Sequence, residues 1–148
     1  MSFLLRAIFE GIEAKEKVVT KLYKNLSLKT TNDEIKKTLM QLSKDEFKHA
    51  IKMNENLELC DIDLDDDSEL KEINKVLTSK VEFDLNKVEE VLDKAISEEE
   101  FAMNAYLALA GNFENPLKTI LEHFAKDEER HKEVLLALKQ EFKESDWN

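Results

Sequence analysis

The tetrads Glu46-Phe47-Lys48-His49 and Glu128-Glu129-Arg130-His131 put a carboxylate three residues before an imidazole at two places in the chain. On an α-helix that spacing aims both side chains at one face, about one turn apart. Each tetrad follows a further Glu with a Tyr seven residues beyond it, Glu16 with Tyr23 and Glu99 with Tyr106. The two Glu are 83 residues apart, as are the two Tyr, and the tetrads are 82 apart. A duplicated helical hairpin is the simplest chain that carries one phrase twice at nearly constant offset.

The rest of the sequence agrees with helices. Two Gly, one Pro and 37% charged residues in 148 leave little material for tight turns and strands. A helical apolar period runs over roughly residues 2 to 27, 33 to 58, 85 to 112 and 116 to 143. The first two segments are joined by a short connection, in which Thr31 and Glu34 read as a capping box opening the second helix. The last two are joined through Asn115, a candidate cap, and Pro116, suited to a first helical turn. Short connections make each pair an antiparallel hairpin.

About 25 residues separate the hairpins, starting with the acidic run Asp61 to Asp67. Ser68 can cap a short extra helix there, with Leu70, Ile73 and Leu77 as its apolar stripe. The expectation is an all-α, antiparallel four-helix bundle of ferritin-like topology, one domain over residues 1–148, with a long crossover containing a short extra helix. Asp61, Asp63, Asp65 and Glu72 imitate a calcium loop, but Asp66 stands where that loop needs Gly, and a solvated acidic loop is the better reading.

Six polar residues fall inside the apolar rows. In helix one Phe9, Glu16 and Tyr23 lie beside Ile12, Val19 and Leu26, whereas Glu13 shares a solvent row with Arg6, Thr20 and Ser27. Helix two continues the pattern with Leu39, Glu46 and Met53 beside Leu42 and His49. Helix three singles out Glu99, in the row of Leu92 and Tyr106, from the run Glu98 to Glu100. Helix four has Leu121, Glu128 and Leu135 beside Phe124 and His131.

Four buried carboxylates without a counter-charge would repel one another and take up protons. Two divalent cations balance four carboxylates and two neutral imidazoles, and six oxygen and nitrogen donors without thiolate suit iron or manganese. The candidate metal residues are therefore Glu16, Glu46, His49, Glu99, Glu128 and His131. Asp45 and Asp127, each next to a tetrad Glu, are candidates to hold the second ring nitrogen of a ligating His. Tyr23 and Tyr106 stand about 10 Å from the Glu of their own helix and point instead to ligands on neighbouring helices, or to plain core packing. His123 falls in a surface row. A metal-free bundle with buried polar networks is the alternative to the whole reading.

The formal net charge of −11 argues against nucleic acid as a partner. The single Cys, Cys60, excludes a disulfide framework and any Cys-rich metal centre. The amino-terminal apolar stretch, broken by Arg6, fits neither a signal peptide nor a membrane span, which leads to a cytoplasmic expectation.

Asp127-Glu128-Glu129-Arg130-His131 resembles the Asp-Glu-x-Arg-His motif of the rubrerythrin-like branch of the ferritin-like dinuclear-iron carboxylate proteins, with Lys48 for Arg in the first copy. The resemblance implies Glu16 and Glu99 as terminal carboxylates, Glu46 and Glu128 as bridging ones, and one His for each iron. It implies a redox protein reducing oxygen or peroxide, and a homodimer. Two departures stand out: no cysteine set for a rubredoxin domain, so turnover needs an external electron donor, and Ala102 where rubrerythrins carry a further carboxylate. The alternative within the family is an iron-binding or iron-handling protein without catalytic turnover.

Overall fold

A computed structural model of the chain describes residues 3–55, 84 and 86–148. Cys60, the acidic run Asp61 to Asp67, the calcium-like pattern through Glu72 and the expected extra helix at Ser68 to Leu77 lie outside the described residues. Among the described residues four α-helices carry the fold: α1 (Phe3–Lys29), α2 (Asp33–Glu55), α3 (Val88–Ala110) and α4 (Leu117–Gln140). α1 packs along α2 and α3 along α4, as two antiparallel hairpins, and α2 also meets α4. The expected four-helix bundle of two hairpins is what forms. No described helix is long and apolar enough to cross a membrane.

The apolar rows face inward as their spacing requires. Phe9, Ile12, Tyr23 and Leu26 of α1 are buried, as are Leu39, Leu42 and Met53 of α2. α3 and α4 bury Leu92, Ala95, Tyr106 and Leu109, and Leu121, Phe124 and Leu135. These residues form two apolar clusters, each drawing on all four helices. One gathers Phe9, Met53, Leu109 and Phe124, and the other gathers Leu26, Leu39, Leu92 and Leu135. Glu16, Glu46, Glu99 and Glu128 fall between these sets along every helix, so the polar layer crosses the middle of the bundle.

Local chemistry corrects several boundaries. Asn32, not Thr31, caps α2: its Oδ1 accepts the Glu34 and Ile35 N–H groups at 3.0 and 3.2 Å. Thr31 is taken by the carboxy-terminal tail, donating its N–H to Asp146 O at 2.7 Å and its hydroxyl to Ser145 O at 3.1 Å. Thr30 and Trp147 form a single antiparallel bridge, and Asn148 N–H reaches Lys29 O. α4 accordingly stops at Gln140 so that Phe142 and Trp147 fold back onto the second cluster.

α3 starts at Val88 rather than 85 because Asp84 holds a turn, accepting the Asn86 N–H on its side chain and the Lys87 N–H on its carbonyl. Asn115 does cap, accepting Thr119 N–H at 3.2 Å, and Pro116 stands just before α4. Ser27, expected on the solvent row, is fully buried. Its hydroxyl donates to Lys24 O at 2.6 Å and lies 3.2 Å from Met40 Sδ. Glu13 is only partly exposed and pairs with Lys17.

Candidate metal centre

All six inward polar residues of the apolar rows are at most 4% exposed and meet at the middle of the bundle. Their donor atoms fall into two overlapping sets, Glu16, Glu46, His49 and Glu128, and Glu46, Glu99, Glu128 and His131. Within each set the atoms lie within 4.8 Å of one another. Glu46 and Glu128 are common to both, while Glu16 with His49 and Glu99 with His131 belong to one each. The two imidazoles stack, with ring centroids 6.2 Å apart and planes inclined by 19°.

The arrangement repeats across the duplication. His49 turns Nδ1 inward, 3.8 Å from Glu16 Oε2 and 2.8 Å from Glu128 Oε1. His131 turns Nδ1 inward, 3.7 Å from Glu99 Oε2 and 2.7 Å from Glu46 Oε1. The outward Nε2 atoms meet the two Asp crosswise: His49 with Asp127 of α4 at 2.9 Å, and His131 with Asp45 of α2 at 3.1 Å. The tyrosines cross likewise. Tyr23 donates to Glu99 Oε1 and Tyr106 to Glu16 Oε1, each at 2.5 Å. Thus Asp45, Asp127, Tyr23 and Tyr106 all contact the six, each from the opposite hairpin.

Burial dominates the electrostatics. It pushes the Glu16 carboxyl up to about 7 against the pull of His49 and the Tyr106 hydrogen bond. Glu128 is driven well up by burial, reinforced by the charges of Glu16 and Glu99. Burial would raise Glu99 too, but the neighbouring Glu128 and His131 and the Tyr23 hydrogen bond outweigh it and leave that carboxyl below its ordinary value. Both tyrosines are raised, by burial first and by adjacent carboxylates second, and so remain hydrogen-bond donors.

Among the described residues, four buried atoms of this layer have no hydrogen-bond partner: Glu16 Oε2, His49 Nδ1, Glu99 Oε2 and Glu128 Oε1. His49 Nδ1 and Glu128 Oε1 approach to 2.8 Å but out of hydrogen-bond alignment. Unpaired polar atoms are costly in an apolar interior, and four from both hairpins in one layer are donors that a shared cation would satisfy. Oxygen and imidazole donors of this kind fit a dinuclear metal centre.

A family model described as rubrerythrin matches residues 90–147. That stretch is similar to the rubrerythrin family. It contains Glu99, Tyr106, Asp127, Glu128 and His131, hence one half of the buried layer and the Asp-Glu-x-Arg-His sequence. The first hairpin lies outside the rubrerythrin match yet supplies the corresponding residues Glu16, Tyr23, Asp45, Glu46 and His49. No curated protein and no solved structure matches the chain.

Arg130 of the Asp-Glu-x-Arg-His sequence has a structural part that sequence reading did not assign. Its Nη2 lies 3.1 Å from Asp45 Oδ2 and 3.6 Å from Asp127 Oδ1, tying together the two Asp that hold the histidines. Gln41 donates to Asp45 Oδ1 at 2.9 Å. Burial acts to raise Asp45, but the bonds from Gln41, His131 and Arg130 bring it below the ordinary carboxylate value. The signal for Arg130 was its place three residues after Asp127, on the same side of α4. His123 is exposed, as expected from its row, and its ring lies 3.9 Å from Asp127 Oδ2.

Proposed function

We propose that the chain is a dinuclear iron or manganese carboxylate protein that reduces oxygen or peroxide with electrons from an external donor. The observation that carries the reading is the set of unpartnered donors, Glu16 Oε2, His49 Nδ1, Glu99 Oε2 and Glu128 Oε1, buried in one layer. Glu16 and His49 would hold one ion and Glu99 and His131 the other, with Glu46 and Glu128 bridging. When bound, two ferrous ions would supply the two electrons that, with two protons, the reduction of one hydrogen peroxide to two waters requires.

The chain's own residues set the conditions for that chemistry. With Asp127 and Asp45 accepting the Nε2–H of His49 and His131, each Nδ1 would turn its lone pair inward toward a bound ion. Tyr106 and Tyr23 fix one oxygen of Glu16 and Glu99 and leave the other free to ligate. The apolar clusters above and below exclude bulk water and strengthen every electrostatic interaction between them.

Metal analysis of protein prepared without added metal, followed by anaerobic titration with Fe(II) and then hydrogen peroxide, tests the proposal. About two ions per chain, oxidised by peroxide, are expected from the two donor sets. A chain that takes up neither iron nor manganese would refute it. A chain that binds iron but does not turn over with a reductase and an electron-carrying partner would instead be an iron-handling protein.

A further inference from the structure

Charge is divided unevenly along the chain. Residues 1–55, the first hairpin, carry eleven Lys and Arg against eight Asp and Glu, a formal +3, so in a chain of −11 the remaining residues carry −14. Lys15 of α1 pairs with Glu98 of α3, and Asp45 of α2 with Arg130 of α4, each at 3.1 Å, which marks the sides of α1 and α2 that meet the second hairpin. Two residues further on, about 200° around each helix, Lys17 and Phe47 face away from it. Lys17, Lys21, Lys24 and Leu28 form one stripe there, and Met40, Lys44, Phe47 and Ile51 form another at the same spacing. Ser43 donates its hydroxyl to Thr20 O at 2.8 Å, and Ser27 Oγ lies 3.2 Å from Met40 Sδ, which sets the two stripes side by side.

This outer face is basic and apolar together. Phe47, Ile51 and Leu28 are 51%, 45% and 65% exposed. Lys21, Lys24, Lys44 and Lys48 are exposed and form no ion pair among the described residues, while Glu10 and Glu13 are taken by Arg6 and Lys17. An apolar centre ringed by cations is complementary to an acidic protein surface. The rest of the chain repels such a partner, so the field of the molecule turns it toward this face. Phe47 also adjoins Glu46, which both donor sets share, whereas the six site residues are at most 4% exposed and out of reach of any carrier. Resting on the function proposed above, we infer that the outer face of the first hairpin, centred on Phe47, docks the electron donor, and that this donor is an acidic carrier protein. Each visit moves one electron and forms no bond: the carrier is oxidised by one electron, one ferric ion of the loaded site becomes ferrous, and two visits restore the pair.

Two arms test the inference with flavodoxin, a strongly acidic one-electron carrier, as the probe. In the first, isotope-labelled metal-free chain is titrated with flavodoxin at low ionic strength. The amide signals of Lys21, Lys44, Phe47 and Lys48 should shift, and the shifts should vanish at about 0.5 M salt. Shifts confined to the second hairpin, or none, would overturn the inference.

In the second arm, oxidised iron-loaded protein is mixed anaerobically with reduced flavodoxin. Lys21→Glu, Lys44→Glu and Lys48→Glu together should slow flavodoxin oxidation by about tenfold at unchanged iron content and melting temperature. The same charge change at Lys118, Lys126 and Lys143, exposed on the second hairpin, should slow it by about twofold or less. Phe47→Ala should slow the transfer and leave its salt dependence unchanged. Equal losses from the two triple variants would reduce the effect to net charge and overturn the docking face. A lower melting temperature in the first triple variant would show that its lysines balance the chain's own acidic residues, and self-association of the native chain at low salt, abolished in that variant, would give the face to a second copy; either result overturns the inference. Failure to load iron would remove the functional proposal, while the metal-free arm would still decide whether this face binds an acidic protein.

Discussion

Tyr106 in α3 donates its hydroxyl to Glu16 in α1 at 2.5 Å, and the reciprocal pair Tyr23 and Glu99 repeats the bond at the same distance. Each hairpin therefore orients the outer carboxylate of the other, which couples the two halves of the duplication through the buried layer. Replacing Tyr106 by Phe removes the donor and leaves a buried carboxylate oxygen without a partner. The expected loss is roughly 1–3 kcal/mol of unfolding free energy in the metal-free protein, measured by urea denaturation. Tyr23→Phe should cost a similar amount, and a neutral result for both would show that these bonds contribute nothing to joining the hairpins.

The crosswise pairs His49 with Asp127 and His131 with Asp45 set which ring nitrogen carries the proton. An Asn at either position can present its amide N–H to Nε2, which favours the tautomer that blocks Nδ1. Asp127→Asn and Asp45→Asn should each weaken metal binding by about 10- to 100-fold. Competition with a chelator of known affinity measures this. The metal-free melting temperature serves as the control, and a fall in affinity only in step with lost folding would assign these Asp a structural part alone.

How much of this was legible in the sequence depended on the range of each interaction. Glu16, Glu46, His49, Glu99, Glu128 and His131 were legible because they interrupt apolar rows, and a row is a local property of one helix. Asp45, Asp127, Tyr23 and Tyr106 could be nominated by adjacency or spacing, but their crossing to the opposite hairpin depends on helix packing. Thr31 was misread as a cap because the tail residues that occupy it, Ser145 and Asp146, are more than a hundred positions away. Ser27 falls on a polar row yet is buried against Met40 of the neighbouring helix, a contact no single-helix period contains. Lys15 and Glu98 carried no local signal, since charged residues flanking a core row are ordinary on any helix.

Arg130 joins Asp45 and Asp127 from a side chain that is 52% exposed. Such pairs contribute little to folding, so Arg130→Met should change stability by less than about 1 kcal/mol. Its effect should appear in the site. Asp45 loses one of the hydrogen bonds that lower its pKa, and metal affinity should fall measurably, though less than in Asp45→Asn. Arg130→Lys should recover only part of the loss, because an ammonium cannot present a planar fork of donors to two carboxylates. Full recovery by Lys would mean that charge alone matters here.

The buried carboxylates make stability depend on pH in a way that bound metal should cancel. Glu16 rises from an ordinary 4.5 to about 7 in the folded, metal-free chain, and Glu128 rises as well. A raised folded pKa means the folded state holds protons that the unfolded chain has released, so its contribution is complete below about 4.5 and is lost as pH climbs through about 7. For Glu16 alone the change is on the order of 3 kcal/mol. Glu99 and Asp45, whose pKa values are lowered, act oppositely and only in the acid range, where stability falls as they protonate. Metal-free protein should thus be less stable to urea at pH 8 than at pH 5. Binding of divalent metal near pH 6 should expel protons from Glu16 and Glu128, and calorimetry in buffers of different ionisation enthalpy counts them. The stabilisation that metal adds over the metal-free chain should grow with rising pH in the same window, because protons compete with the metal for the same oxygens. A metal-free chain whose stability is flat between pH 5 and pH 8, or metal binding without proton release, would show that these carboxylates are already ionised and balanced by another charge.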